Sequence, residues 1–128
     1  MRIRVINPNT TRAMTATIER CALAVAGPGT VLDAVTSEMG PASIESHYDE
    51  AMSVPGLLAA IRRGEAEGVD GYVIACFGDP GLDAATEQAP GPVIGIAEAA
   101  LNTPTPPRPR QNRGSTRGPT RGPAPPPA

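Results

Sequence analysis

Polar and reactive side chains follow three of the short apolar segments in this sequence. NPNT (7–10) follows the first segment, CFGD (76–79) closes the third, and Glu98 comes just after the fourth. Cys76 has the most reactive of these side chains, because a thiol becomes a strong reagent once it loses its proton. In parallel α/β sheets, ligands gather at the carboxyl ends of the strands. If these segments are strands of one such sheet, their polar ends predict a functional site.

The second cysteine and the single histidine do not extend this set. Cys21 shares a helical stripe with Ile18 and Val25, so we expect its thiol to pack in the core rather than to act as a second catalytic group. His47 lies in a polar segment, which predicts a solvated loop histidine. Two cysteines and one histidine give neither a disulfide framework nor a metal-ligand spacing. We therefore expect two reduced thiols and no metal.

Strands and helices are predicted to alternate around these positions. The strands are short runs of β-branched and aliphatic residues, at 2–6, 30–35, 71–76 and 92–96. The helices have apolar spacings of three and four or begin with capping residues, at 11–26, 55–68, 82–88 and 97–101. Pro55 suits a first helical turn, and Asp79 and Pro80 suit the N-cap and first position of the next helix. Between the predicted strand at 30–35 and the predicted helix at 55–68, residues 36–54 predict a long loop.

This alternation predicts an α/β fold with a parallel sheet and flanking helices. A chain of 128 residues allows one domain of ordinary size. The longest uninterrupted apolar run, 72–77, is far too short to span a bilayer, and the N-terminus lacks a secretory apolar region. We therefore expect a cytoplasmic protein without a membrane partner.

Four longer motifs occur in register along the first 101 residues. They are VINPNT (5–10), GPASIESHYDEAMSVPGL (40–57), GEAEGVDGYVIACFGDPGLDAA (64–85) and PVIGIAEAA (92–100). Together they resemble the hydantoin racemases, within the wider aspartate/glutamate/hydantoin racemase group. The resemblance implies that residues 1–101 are the first of two pseudo-symmetric α/β halves. Allantoin racemases and aspartate/glutamate-type racemases stay open as alternatives.

The resemblance also implies a reaction that needs no cofactor. One cysteine thiolate removes the proton from the stereogenic carbon of a small-molecule substrate, and a second thiol returns a proton to the opposite face. Cys76 matches the thiol of the first half. The positive end of the helix predicted after Asp79 would favour its thiolate. Backbone N–H groups around 77–79 could hold the oxygen that gains negative charge.

The substrate-binding residues that the resemblance implies come from the same segments. They are Asn7, Asn9, Thr10, Ser43, Ile44, Phe77, Gly78, Asp79 and Glu98. Several have an ordinary structural alternative, since Asn7 suits a turn, Asp79 a helix cap and Glu98 a first helical turn. Both kinds of role can coexist.

The composition changes after Leu101. Residues 1–101 hold all thirteen acidic side chains and six Arg, whereas 102–128 hold five Arg, no acid and nine of the sixteen Pro. Such a segment predicts a disordered tail with polyproline II character. A family member would continue here into its second half, which brings the other cysteine. We therefore hypothesise that this chain is a truncated or frameshifted racemase. A basic tail for nucleic acid is the weaker hypothesis, because no aromatic side chain could stack on bases.

Three functions remain open on the sequence alone. The chain is an impaired racemase, a non-catalytic remnant of one, or a binding protein that uses its basic tail. Association into a homo-oligomer also stays open, since a half-domain leaves one side of its cleft exposed.

Overall fold

Strands and helices alternate along the chain in a computed structural model, which describes residues 1–102 and the isolated positions 122, 124, 126 and 127. The strands are β1 Arg2–Asn7, β2 Val31–Thr36, β3 Gly71–Ile74 and β4 Val93–Gly95. The helices are α1 Arg12–Val25, α2 His47–Ala66, α3 Leu82–Gln88 and α4 Ile96–Asn102. The tail for which the sequence predicts disorder lies almost entirely outside the described residues. No helix in the described part of the chain is long and apolar enough to cross a bilayer.

The four strands form one parallel sheet in the order β2-β1-β3-β4. Val5 of β1 pairs with Ala34 of β2 and Val73 of β3, and Val73 pairs in turn with Ile94 of β4. The predicted parallel α/β class is therefore confirmed. Because all strands run in one direction, the loops that follow β1, β3 and β4 lie at the same edge of the sheet.

One face of the sheet carries the hydrophobic core. Ile6 and Ile74 point to this face and pack with Leu57 and Ile61 of α2, and all four side chains are fully buried. Burial of each such side chain stabilises the fold by roughly 1.5–3 kcal/mol. Ala85 of α3 is buried in the same cluster. This core fixes α2 and α3 against β1 and β3.

The opposite face is only partly covered. Helix α1 packs on β1 and β2, where the Thr15 and Thr36 hydroxyls lie 2.7 Å apart. Beyond α1, Val73 is half-buried and Ile94 is 47 % exposed. We call the surface of Ile3, Val73 and Ile94 the open face. Its side chains form a partly exposed apolar patch, of the kind that often marks an interaction surface.

Helix α2 begins much earlier than the sequence predicts. Ser46 is its N-cap and accepts a hydrogen bond from Asp49 N at 3.1 Å, so Pro55 lies inside the helix rather than in its first turn. The prediction of a loop through 54 is therefore wrong for its last eight residues. The N-cap satisfies amides that would otherwise lack partners. The predicted end is confirmed, because Gly68 follows the C-cap with a φ of 79° that favours glycine.

A buried arginine joins two strands to the end of α2. Arg4 is 5 % exposed, and its guanidinium donates to both carboxylate oxygens of Asp33, at 3.0 and 2.9 Å, and to Glu67 at 2.6 Å. The bidentate geometry suits the planar guanidinium. These bonds to Arg4 hold the pKa of Asp33 and that of Glu67 below their usual values.

This cluster predicts a loss of stability in acid. A lowered carboxyl pKa in the folded state gives stability that is present above the unfolded value, about 4, and is lost as the pH falls through the folded value. We expect the free energy of unfolding, measured with urea, to decline below pH 4. Arg4→Met should flatten that decline. Equal slopes for the two proteins between pH 4 and 2 would contradict the assignment to Arg4.

Candidate active site

The loops that follow β1 and β3 begin next to each other at the carboxyl ends of these strands. Ala75 N donates to Ile6 O at 2.9 Å, and Ser37 N donates to Asn7 O at 3.0 Å, so the backbone pairing continues past the strands. Cys76 follows directly and is partly exposed. It opens into a cavity of about 1140 Å³ that extends along α1 and the sheet. Of the residues that the sequence nominates, this cavity is lined by Asn7, Asn9, Ser43, Ile44, Cys76, Phe77 and Gly78.

Two asparagines at the end of β1, Asn7 and Asn9, hydrogen-bond to each other. Asn7 is 1 % exposed, and its Nδ2 donates to Asn9 Oδ1 at 2.8 Å and Thr15 Oγ1 at 3.0 Å. Asn9 Oδ1 also accepts from Thr11 N at 2.9 Å, an Asx turn that starts α1. Within residues 1–102, Asn9 Nδ2 donates only to Met14 Sδ, a weak acceptor, at 3.1 Å. Asn9 therefore offers the cavity a polar donor, whereas the amide of Asn7 is already engaged.

The loop that carries Ser43 and Ile44 is fastened to the start of α1. Thr10 N donates to Pro41 O at 3.1 Å, and Thr11 Oγ1 donates to Ala42 O at 2.7 Å. These bonds bring the loop over the cavity. The side chain of Thr10 lies elsewhere, in a separate polar cavity that Arg4 and Arg63 also line.

The segment after Cys76 forms a tight turn. Asp79 N donates to Cys76 O at 3.0 Å. The N–H groups of Phe77 and Gly78 donate to no acceptor within residues 1–102, and both residues line the cavity. The Phe77 side chain is 81 % exposed. Two backbone donors are thus available next to the thiol.

Asp79 caps a different helix from the one the sequence predicts. Gly81, not Asp79, is the N-cap of α3, so Pro80 is not its first residue. The Asp79 carboxylate instead accepts from Ala97 N at 3.0 Å and Glu98 N at 2.8 Å, at the start of α4. Asp79 has a φ of 44°, a left-handed conformation that aspartate tolerates better than most residues. It therefore ties the Cys76 turn to the end of β4, and neither Asp79 nor Glu98 lines the cavity.

Cys21 is exposed, so the prediction that it packs in the core is wrong. The stripe of α1 that carries Ile18 and Cys21 faces the cavity beside the open face. Cys21 is seven residues beyond Met14, which touches Asn9, and so lies about 10 Å farther along the helix. Cys21 therefore lines a part of the cavity away from the contact between Met14 and Asn9. His47, whose side chain is fully exposed as predicted, begins α2 instead of lying in a loop.

Glu50 is a cavity residue that the sequence does not reveal. It lies in the first turn of α2, and its carboxylate lies over the turn after Cys76. A β-carbon at Gly78 would meet Glu50 Oε1 at 2.5 Å, so a larger residue there would displace the Glu50 carboxylate. Among the described residues, Glu50 is the only charged one that lines the cavity. The S-x-x-D cap at Ser46 is the sequence signal that would have placed this turn.

Comparison with known families gives one match over most of the chain. Residues 3–104 match the Asp/Glu/Hydantoin racemase family. A hydantoin racemase from Pseudomonas sp. (strain NS671) is 57% identical over 101 residues, which are 79% of this chain and 41% of that protein. A hydantoin racemase from Rhizobium meliloti is 59% identical over 101 residues, 79% of this chain and 42% of that one. The chain thus spans about two fifths of the length of these relatives.

Two solved structures are similar as well. An allantoin racemase from Klebsiella pneumoniae superposes with a TM-score of 0.77 at 61% identity, covering 79% of this chain and 41% of that one. An allantoin racemase from Pseudomonas fluorescens superposes with a TM-score of 0.74 at 33% identity, covering 78% and 42%. The alignment covers less than half of each solved chain.

Proposed function

This chain belongs to the Asp/Glu/hydantoin racemase family, and from that premise we propose that it is the first half of a cofactor-independent racemase of 5-substituted hydantoins. Cys76 is one of its two proton-transferring thiols. The observation that carries the proposal is the position of Cys76, which opens into a cavity beside two unpaired backbone N–H groups. A base next to oxyanion donors is what proton abstraction beside a carbonyl needs.

The chemistry proceeds through a carbanion. The Cys76 thiolate takes the proton from C5 of the hydantoin, and the electron pair of the broken C–H bond moves onto the adjacent carbonyl oxygen. The N–H groups of Phe77 and Gly78 stabilise that oxyanion. An acid on the opposite face then returns a proton to C5, which inverts the centre. For the other enantiomer, Cys76 is the acid.

A neutral cyclic ureide suits the cavity better than an amino acid. No Lys, Arg or His lines the cavity among residues 1–102, and its one charged side chain is a carboxylate. Aspartate and glutamate would bring two carboxylates to this site without a cation to bind them. Hydantoins and the related allantoin bring amide N–H and C=O groups instead. We therefore favour a hydantoin or allantoin substrate over the aspartate/glutamate type.

We infer that the second acid comes from outside the described residues. The matched segment is only about two fifths of each relative, so most of each relative lies outside it. In a two-base racemase, the opposing thiol belongs to the second α/β half. Residues 1–101 alone are therefore expected to exchange the C5 hydrogen without inverting the centre.

Incubation with a single hydantoin enantiomer in deuterated water tests this function. Deuterium entry at C5 with retention of configuration is the expected result for one thiol acting alone. Inversion would show that a second acid is present. If a chain that is folded by circular dichroism neither exchanges nor inverts any 5-substituted hydantoin or allantoin, the non-catalytic remnant is favoured.

Asn9→Asp should weaken substrate binding, and it should also lower stability because Asn9 is 6 % exposed and a carboxylate there is largely desolvated. Aspartate keeps the oxygen that accepts from Thr11 N and Asn7 Nδ2, but loses the N–H donor that faces the cavity. We expect 5-methylhydantoin to bind about tenfold more weakly, as measured by titration of NMR chemical shifts. Asn102→Asp, at the exposed end of α4, is the matched control. Equal affinity of the Asn9 variant and its control would exclude a substrate contact.

A further inference from the structure

Glu50 is a charged side chain whose position the proposed reaction does not explain. Its carboxylate lies in the cavity that Cys76 opens into, against the Cα of Gly78. The side chain is 37 % exposed, and within residues 1–102 its carboxylate has only the exposed His47 as a partner, at 3.7 Å. A carboxylate with no N–H donor, beside a reactive thiol, is an acceptor that a ligand can use.

The backbone of Glu50 is fixed by the structure around it. Glu50 N donates to Ser46 O at 3.0 Å, and Ser53 Oγ donates to Glu50 O at 2.6 Å, so its backbone is fixed in the first turns of α2. An acidic residue in the first turn is favoured by the helix dipole. Gly78 leaves the space that the carboxylate occupies. The acceptor therefore lies over the same turn that offers the oxyanion donors.

We propose that Glu50 determines specificity by accepting a ring N–H of a neutral cyclic ureide bound at Cys76. This inference rests on the proposed function, since it assigns a substrate contact within the same cavity. The Phe77 and Gly78 amides bind the carbonyl oxygen next to the reacting carbon, while Glu50 binds an N–H on the same ring. A ureide offers both groups within one small ring.

The charge of Glu50 also selects against anions. The described cavity residues are otherwise apolar or neutral, so a ligand carboxylate would meet an uncompensated negative charge in a partly desolvated site. A neutral ureide meets no such repulsion. Glu50 thus favours the binding of neutral ureides and opposes the binding of anions.

Binding of 5-methylhydantoin to the chain and its variants tests the contact. We expect Glu50→Ala to raise the Kd, measured by NMR titration, roughly 10- to 100-fold, the range for hydrogen bonds to charged groups. Glu50→Gln keeps a neutral acceptor, so its Kd should lie between those of the unchanged chain and Glu50→Ala. Glu87→Gln, which removes an exposed carboxylate from α3, should bind like the unchanged chain.

Methylated ligands identify the bond itself. N1-methyl and N3-methyl derivatives of 5-methylhydantoin each remove one ring N–H. One of the two should lose affinity for the unchanged chain but lose little for Glu50→Ala, because the acceptor is already gone. Methylation that costs both proteins the same, or a Glu50→Ala chain that binds as tightly as Glu87→Gln, would overturn the role of Glu50.

The two levels of the proposal fail in different ways. If the unchanged chain shows neither binding of hydantoin nor deuterium exchange at C5, the proposed function fails and Glu50 with it. If the unchanged chain binds and exchanges hydantoin while the Glu50 variants do the same, only the specificity contact fails. Aspartate gives a third measurement: it should bind Glu50→Gln more tightly than the unchanged chain, and equal binding would overturn the selection against anions.

Discussion

Cys76→Ser should lower the rate of deuterium exchange at C5 of a hydantoin by roughly 10²- to 10⁴-fold, the usual contribution of a positioned general base. A serine hydroxyl is far less acidic than a thiol, so almost none of it is ionised near neutral pH. The substitution removes the base but keeps a small polar side chain at the end of β3. Cys76 is only partly buried, so the fold should tolerate it.

Cys21→Ser is the matched control for this experiment. It removes the other thiol of the chain, which lines the same cavity from α1. We expect its exchange rate to equal that of the unchanged chain, as followed by loss of the C5 proton signal in NMR. Loss of exchange in both variants would point to a general effect on the fold. Loss in the Cys21 variant alone would contradict the assignment to Cys76.

The parallel sheet and the position of Cys76 could be predicted because both depend on local patterns. The run at 71–76 has enough β-branched and apolar residues to predict β3, and its last residue is Cys76. The helix over LDAATEQ is also present, although it begins two residues later than predicted, after Gly81. These features need no knowledge of what the segments contact.

The features that the sequence did not reveal depend on distant partners. Periodicity on α1 identifies an apolar face but not the element that covers it, so it does not predict that Cys21 is exposed in the described structure. Asp79 precedes α3 in the chain, yet it caps α4, because the sheet brings the end of β4 beside the Cys76 turn. Glu50 meets Gly78 only after α2 packs on the sheet.

Asp79→Ala should both destabilise the chain and slow the proposed reaction. Alanine loses the two hydrogen bonds from Ala97 N and Glu98 N and leaves a left-handed φ on a residue that adopts it with difficulty. Loss of an N-cap costs about 1 kcal/mol, and the unfavourable backbone conformation about 1 kcal/mol more. We therefore expect the free energy of unfolding, measured with urea, to fall by about 2 kcal/mol.

The effect on the reaction follows from the position of the turn. Asp79 joins the turn that carries Cys76 to the start of α4, and a displacement of about 1 Å at a reacting group can lower a rate about 100-fold. Asp79→Asn keeps one acceptor and tolerates the left-handed conformation, so it should recover much of both losses. Asp79→Gly relieves the backbone but restores no acceptor. Its exchange rate should stay low even though part of the stability returns.

These three variants distinguish a positioning residue from a substrate contact. If Asp79 acts through the turn, the exchange rate falls with little change in the KM for hydantoin, and the Asn variant recovers it. If Asp79 instead binds substrate, the KM rises in all three variants. Their stabilities then differ only by how well each new residue adopts the left-handed backbone conformation. Unchanged stability and exchange in Asp79→Ala would show that the bonds to Ala97 and Glu98 do not hold the Cys76 turn in place.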